Sequence, residues 1–130
     1  MKVAIMQPYV FPYLGYFQLI HAADTFVFYD DVHFIRRGWI NRNQILVNGS
    51  EFMFSVPLAK ASQNKLINEI ELKLDDKWLL QFYTTLEQNY VKAPYFKETL
   101  QLIKRVFSSE CKTISNLAIT SVKIVAAYLG

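Results

Sequence analysis

Three stretches of this 130-residue chain bring together side chains that could do chemistry. Asp30-Asp31 closes TFVFYDDV, a β-branched and aromatic run. A carboxylate at a strand end can act as a general base, taking a proton from an attacking amine or hydroxyl. Neighbouring strand residues point to opposite faces, so one pocket would use only one of the two. The same pair could equally close the strand or enter an ion-pair network with nearby arginines. RRGWINRN then sets Arg36, Arg37 and Arg42 among Trp39, Asn41 and Asn43. Planar guanidinium forks match carboxylate or phosphate. Trp39 can stack on a planar ring, and the two asparagines offer paired donors and acceptors. As a cluster these residues favour anion binding; for any one arginine a surface salt bridge is the plainer role. The third stretch is QPYVFPYLGYF, residues 7–17. Pro8 and Pro12 fix φ and restrict the residues before them. Gly15 leaves room near a helix start, where free N–H groups and the helix dipole favour an anion. The structural alternative is a packed connector, with Tyr9, Phe11 and Tyr13 covering a sheet edge.

These stretches need elements to hold them. VAIM (Val3 to Met6) is a short apolar run that fits a strand buried on both faces, as in a parallel sheet. GYFQLIHAA, from Gly15, reads as a helix ending near Asp24, and Thr25 to Val32 as the next strand. A β-loop-α-β order implies a right-handed crossover and a parallel pair. In such units ligands gather beyond the carboxyl ends of the strands. The candidate pocket there comprises Gln7, Tyr9, Tyr13, Gly15, Tyr16, Asp30, Asp31 and the RRGWINRN residues. The expected fold class is α/β with a Rossmann-like parallel sheet start.

A β-hairpin follows around Asn48-Gly49, a strong two-residue turn signal between ILV and EFMFSV. KASQNK is a loop, and INEIELK is read as a short strand that returns the chain to the body. From Asp75 the chain turns helical. Trp78, Leu79, Phe82, Leu86 and Tyr90 make the apolar face of one helix, broken at Ala93-Pro94. Phe96, Leu100, Ile103 and Phe107 stripe a second, and a third runs from about Thr113 to Leu129. One domain is expected over residues 1–130, with an α/β part (1–74) and a helical part (75–130). The broad apolar last helix suggests a surface for a second copy or a complementing chain.

Composition narrows the function. At 52% hydrophobic the chain can bury a substantial core. A net charge of +3 is too mild to argue for nucleic acid, but a fixed basic patch could recruit a small anion. With one cysteine, Cys111, no intrachain disulfide can form, which fits a reducing cytoplasm. No stretch approaches the roughly 20 apolar residues of a membrane span. His21 and His33 have no metal-ligand spacing, so no metal is expected. Nucleotide-loop and nucleophile-elbow motifs do not occur.

IMQPYVFPYLGYFQLI, DTFVFYDDVHFIRRGWINRNQI and NYVKAPYF together resemble the WbqC-like family, found among bacterial O-antigen biosynthesis genes. The resemblance runs through essentially the whole chain. It implies an amino-acyl or acyl transferase acting on a sugar, with glycine transfer suggested. Family members usually continue for roughly another hundred residues, a length consistent with a larger domain. The chain is therefore expected to lack a C-terminal portion. A looser resemblance is to the nucleotidyltransferase-like branch of Rossmann-type folds, where an H-x-G-H turn holds a triphosphate. Tyr13-Leu14-Gly15-Tyr16 stands in that place here. A neutral Tyr cannot supply the positive charge of a protonated His. Nucleotide or acyl-adenylate binding is what this second resemblance implies. The implied ligand is small and anionic or nucleotide-linked.

Overall fold

The computed structural model describes residues 1–35 and 37–130. The chain opens with β1 (Val3–Met6), α1 (Leu14–Ala22) and β2 (Thr25–Phe28). β1 and β2 pair in parallel, Val3 opposite Thr25 and Met6 opposite Phe28. A hairpin follows, β3 (Arg42–Val47) and β4 (Ser50–Ser55), then β5 (Leu58–Ala59), a 3-10 turn (Ile67–Glu69) and β6 (Glu71–Leu72). Three helices complete the chain: α2 (Asp76–Tyr90), α3 (Phe96–Phe107) and α4 (Ile114–Leu129).

The α/β class and the parallel β1–α1–β2 unit match the expectation, and the continuous Rossmann-like sheet does not. Among the described residues, β1–β2, β3–β4 and β5–β6 form three separate two-stranded sheets. β1 is also not buried on both faces. Ala4 is buried, but Val3 is 52% and Ile5 59% exposed. One face of the pair meets α1, where the Tyr16 and Phe26 rings lie 5.4 Å apart. β2 stops at Phe28, so Asp30 and Asp31 lie beyond the strand rather than within it. INEIELK is mostly the 3-10 turn, with only Glu71 and Leu72 in a strand.

The hairpin forms where Asn48-Gly49 predicts it. Both residues have positive φ, 52° and 78°, as a two-residue turn between twisted strands requires. Its first strand begins earlier than expected and takes in Arg42 and Asn43. Asp75 caps α2, its carboxylate accepting from the Trp78 N–H at 2.8 Å. The Thr113 hydroxyl caps α4 by accepting from the Asn116 N–H at 3.2 Å.

One core joins both parts of the chain. Val10, Phe34, Ile40, Phe54 and Val56 pack with Phe82, Leu86, Leu100, Val106 and Leu117. At its centre Trp78 and Phe82 are stacked at 5.1 Å, and Phe82 also meets Phe54 at 4.8 Å and Phe107 at 5.8 Å. Phe11, from the opening stretch, reaches the same cluster through Phe107 at 6.0 Å.

Candidate ligand-binding site

The Tyr29 N–H donates to the Met6 carbonyl at 2.7 Å, so both chains leave the parallel pair at one edge. Gln7 follows one strand and Asp30 the other. Asp30 is half-buried, and its Oδ2 accepts from the Ser115 hydroxyl at 2.6 Å. Ser115 is buried near the start of α4. Asp31 is exposed. The carboxylates thus separate, one turned toward the helices and one toward solvent.

The opening stretch is braced from several sides. Tyr16 is buried, and its hydroxyl donates to the Gln7 carbonyl at 2.7 Å. Burial, with Tyr9 second, pushes its pKa far above the usual tyrosine range. Tyr16 is therefore held as a neutral internal brace behind Gln7. The Tyr9 ring packs on it at 5.8 Å. The Phe11 N–H donates to the buried Ser121 hydroxyl at 3.1 Å, and the Val10 N–H to the Ile40 carbonyl at 3.1 Å. The space expected beside Gly15 is taken. A Cβ there would lie 2.3 Å from Tyr13 Cε2, so the Tyr13 ring rests on the bare glycine.

The polar residues of RRGWINRN also act as braces. Arg36 lies outside the described residues. Arg37 is exposed, and its carbonyl accepts from Arg42 Nη2. Arg42 Nε donates to the Gly38 carbonyl at 2.9 Å, and the guanidinium lies 5.8 Å from the Trp39 ring centre. Asn41 Nδ2 donates to the Val56 carbonyl at 3.1 Å. Asn43 Nδ2 donates to the carbonyls of Phe11 at 2.6 Å and Val10 at 3.3 Å, while its Oδ1 accepts from the Gln44 N–H at 2.7 Å. The amide nitrogens of Asn41 and Asn43 thus both donate to backbone carbonyls.

These braces shape a cleft of about 300 Å³ lined by Tyr9, Pro12, Tyr13, Trp39 and Asn43. Four residues expected to bind ligand, Tyr9, Tyr13, Trp39 and Asn43, meet there. Asp30, Asn41 and Arg42 are not part of its wall. Sequence reasoning missed Ser115 and Ser121, which tie Asp30 and Phe11 to α4. The available signal was two serines among Ile114, Leu117, Ala118 and Val122, small polar residues on an otherwise apolar helix face. A groove of about 340 Å³ between the hairpin and α2–α4 is larger, and its wall is largely apolar, running from the buried Phe54, Phe82 and Leu86 to the exposed Tyr128 and Leu129. Among the described residues no group of three His, Cys, Asp or Glu could hold a metal ion, and no helix is long and apolar enough to cross a membrane.

No solved structure matches the chain. It is 32% identical over 133 residues to the uncharacterized protein Rv1507c of Mycobacterium tuberculosis. That match covers 99% of this chain and 56% of the mycobacterial protein, so the chain spans about half the length of this relative. The family model of the WbqC-like proteins matches residues 7–130, the stretch that contains the braced opening, the cleft and all three C-terminal helices. The chain belongs to the WbqC-like protein family.

Proposed function

We propose that this chain is a transferase of surface-polysaccharide biosynthesis, moving an amino-acyl or acyl group, glycine among them, onto a sugar. The observation that carries this reading is that Gln7 and Asp30 follow the two strands out of one edge of the parallel pair, where the loop that leaves β1 builds the aromatic cleft, Asp30 lying outside its wall. Asp30 is the proposed general base. The Ser115 hydroxyl fixes one carboxylate oxygen, leaving the other to take a proton from the sugar's amine or hydroxyl. That nucleophile attacks the acyl carbonyl, a new amide or ester bond forms, and the bond to the carrier breaks with its electron pair on the carrier. Asp31, exposed beside it, and the exposed Arg37 supply charge around the site.

Adenylyl transfer is not part of this reading. The turn that would hold a triphosphate offers Tyr13 and Tyr16, and Tyr16 is buried and committed to Gln7. A second reading, a non-catalytic binding or assembly module, is favoured by the use of Asn41, Arg42 and Asn43 as braces. The two separate under mutation. Purified chain is incubated with carrier-bound acyl and aminoacyl donors and nucleotide-linked sugars, and products are read by mass spectrometry. Asp30→Asn is expected to lower turnover by about 100-fold or more while leaving the melting temperature close to the parent's. Full turnover in Asp30→Asn would remove the carboxylate from the mechanism, and no transfer with any donor favours the module.

A further inference from the structure

The geometry points to Tyr13 as a movable wall of the aromatic cleft, seated on Gly15, which closes over the ring of a phosphate-bearing ligand. This deepens the proposed function and rests on its placing the ligand at this edge of the parallel pair. The other walls are fixed from behind. Tyr9 leans on Tyr16, itself held by Gln7 and Phe26. Trp39 lies under the Arg42 guanidinium, which is tied to the Gly38 and Arg37 carbonyls. Pro12 has a fixed φ. Tyr13 is the more exposed of the two outer rings, 72% against 43% for Trp39, and its ring lies where a Cβ on residue 15 would be.

Gly15 lies in α1, outside the left-handed region, so its own backbone does not require glycine. Glycine is a poor helix residue. The Tyr13 ring supplies the missing reason. Any larger residue would push Tyr13 Cε2 away, and because that atom ends a flexible side chain, the ring would move rather than the helix.

The walls also select a ligand class. Aromatic clefts suit either a stacked ring or an organic cation. No carboxylate lines this one, and a guanidinium already lies over Trp39, which disfavours a cation. The cleft, about 300 Å³, is at the small end of ligand pockets, room for a ring with its substituents. With Arg37 exposed nearby in sequence, the fitting ligand is a neutral ring bearing phosphate, whether a sugar phosphate or a nucleoside diphosphate.

Calorimetric titration of the full chain tests this with glucose 1-phosphate, UDP, UDP-glucose and tetramethylammonium. Binding of either phosphate-bearing class is expected, and the comparison of glucose 1-phosphate with UDP identifies which ring occupies the cleft. Tyr13→Ala is expected to weaken binding at least about fivefold, the lower bound for losing one stacked ring. Gly15→Ala should weaken it in the parent and have no further effect in the Tyr13→Ala background. If Gly15→Ala does not fold, Tyr13→Phe and Tyr13→Ala decide, Phe keeping the affinity and Ala losing it. Equal weakening by Gly15→Ala in both backgrounds, or none in either, overturns the movable wall and leaves the proposed transferase standing. Tighter binding of tetramethylammonium, or no binding of any phosphate-bearing probe, overturns the ligand class; the Asp30→Asn turnover assay then judges the transferase separately.

Discussion

Tyr13 and Tyr16 stand three residues apart in one short motif, yet one faces solvent and the other is sealed in the interior. Residue type alone makes them equivalent as ligand-binding hydroxyls. Helical spacing separates them: Tyr13 precedes α1, whereas Tyr16 lies on the α1 face that meets Phe26. The Tyr16 hydroxyl has one donor proton, and the Gln7 carbonyl receives it. Tyr16→Phe leaves that carbonyl without this donor and is expected to cost about 1–3 kcal/mol, read by urea denaturation at neutral pH. The pH dependence has a definite sign. Burial first and Tyr9 second raise the native pKa of Tyr16 well above the unfolded value near 10. Below about pH 10 both states are protonated and the contribution is complete. Above it the unfolded state loses a proton that the native state keeps, so stability falls as pH rises toward the native value. Tyr16→Phe should flatten that alkaline decline in part, since burial raises Tyr83 as well. An unchanged slope between neutral pH and pH 11 would mean that Tyr16 does not report on folding.

Between elements, the first strand of the hairpin holds the opening stretch. Asn43 spans 32 positions to reach the Phe11 carbonyl and also meets that of Val10. Asn43→Ala is expected to destabilise the chain by about 1–3 kcal/mol, because two carbonyls lose their donor. Hydrogen exchange should speed up at residues 9–11, while the Asn48-Gly49 hairpin end keeps its protection. Uniform change across the chain would show that the clamp is not local. This contact also marks where sequence reading stops. The Asn48-Gly49 turn, the β1–α1–β2 order and the start of α2 at Asp75-Asp76 were legible because each signal sits within a few residues of what it controls. The end of β2 was not, since the strand-like Tyr29 and Val32 flank Asp30-Asp31 while only Thr25–Phe28 pair with β1. Of the candidate site residues, the rings of Tyr9, Tyr13 and Trp39 line one cleft. The same types could not tell a ligand donor from a brace. Asn41, Arg42 and Asn43 meet backbone carbonyls whose positions only the tertiary fold decides.

At the scale of the whole molecule, the three two-stranded sheets found among the described residues are too small to stand alone. What stabilises them is the helical half. Phe54 of the hairpin, Phe11 of the opening stretch and Trp78, Phe82 and Phe107 of the helices form one aromatic cluster. Asp30 and Phe11 are tied to α4 through Ser115 and Ser121. A division near residue 74 would cut through this core rather than between two cores. We therefore expect the 130 residues to unfold in one cooperative step, with far-UV and near-UV signals changing together. Phe82→Ala empties the centre of the cluster and should lower stability by about 3–5 kcal/mol. Its effect should move both signals equally, although Phe82 lies in α2 alone. Residues 1–74 expressed by themselves should show neither the β signal nor protection at the hairpin, because the surfaces that cover Phe54 and Val10 are absent. Two separated transitions, or a folded 1–74 fragment, would show instead that the sheets carry their own stability and that the helices only dock on them.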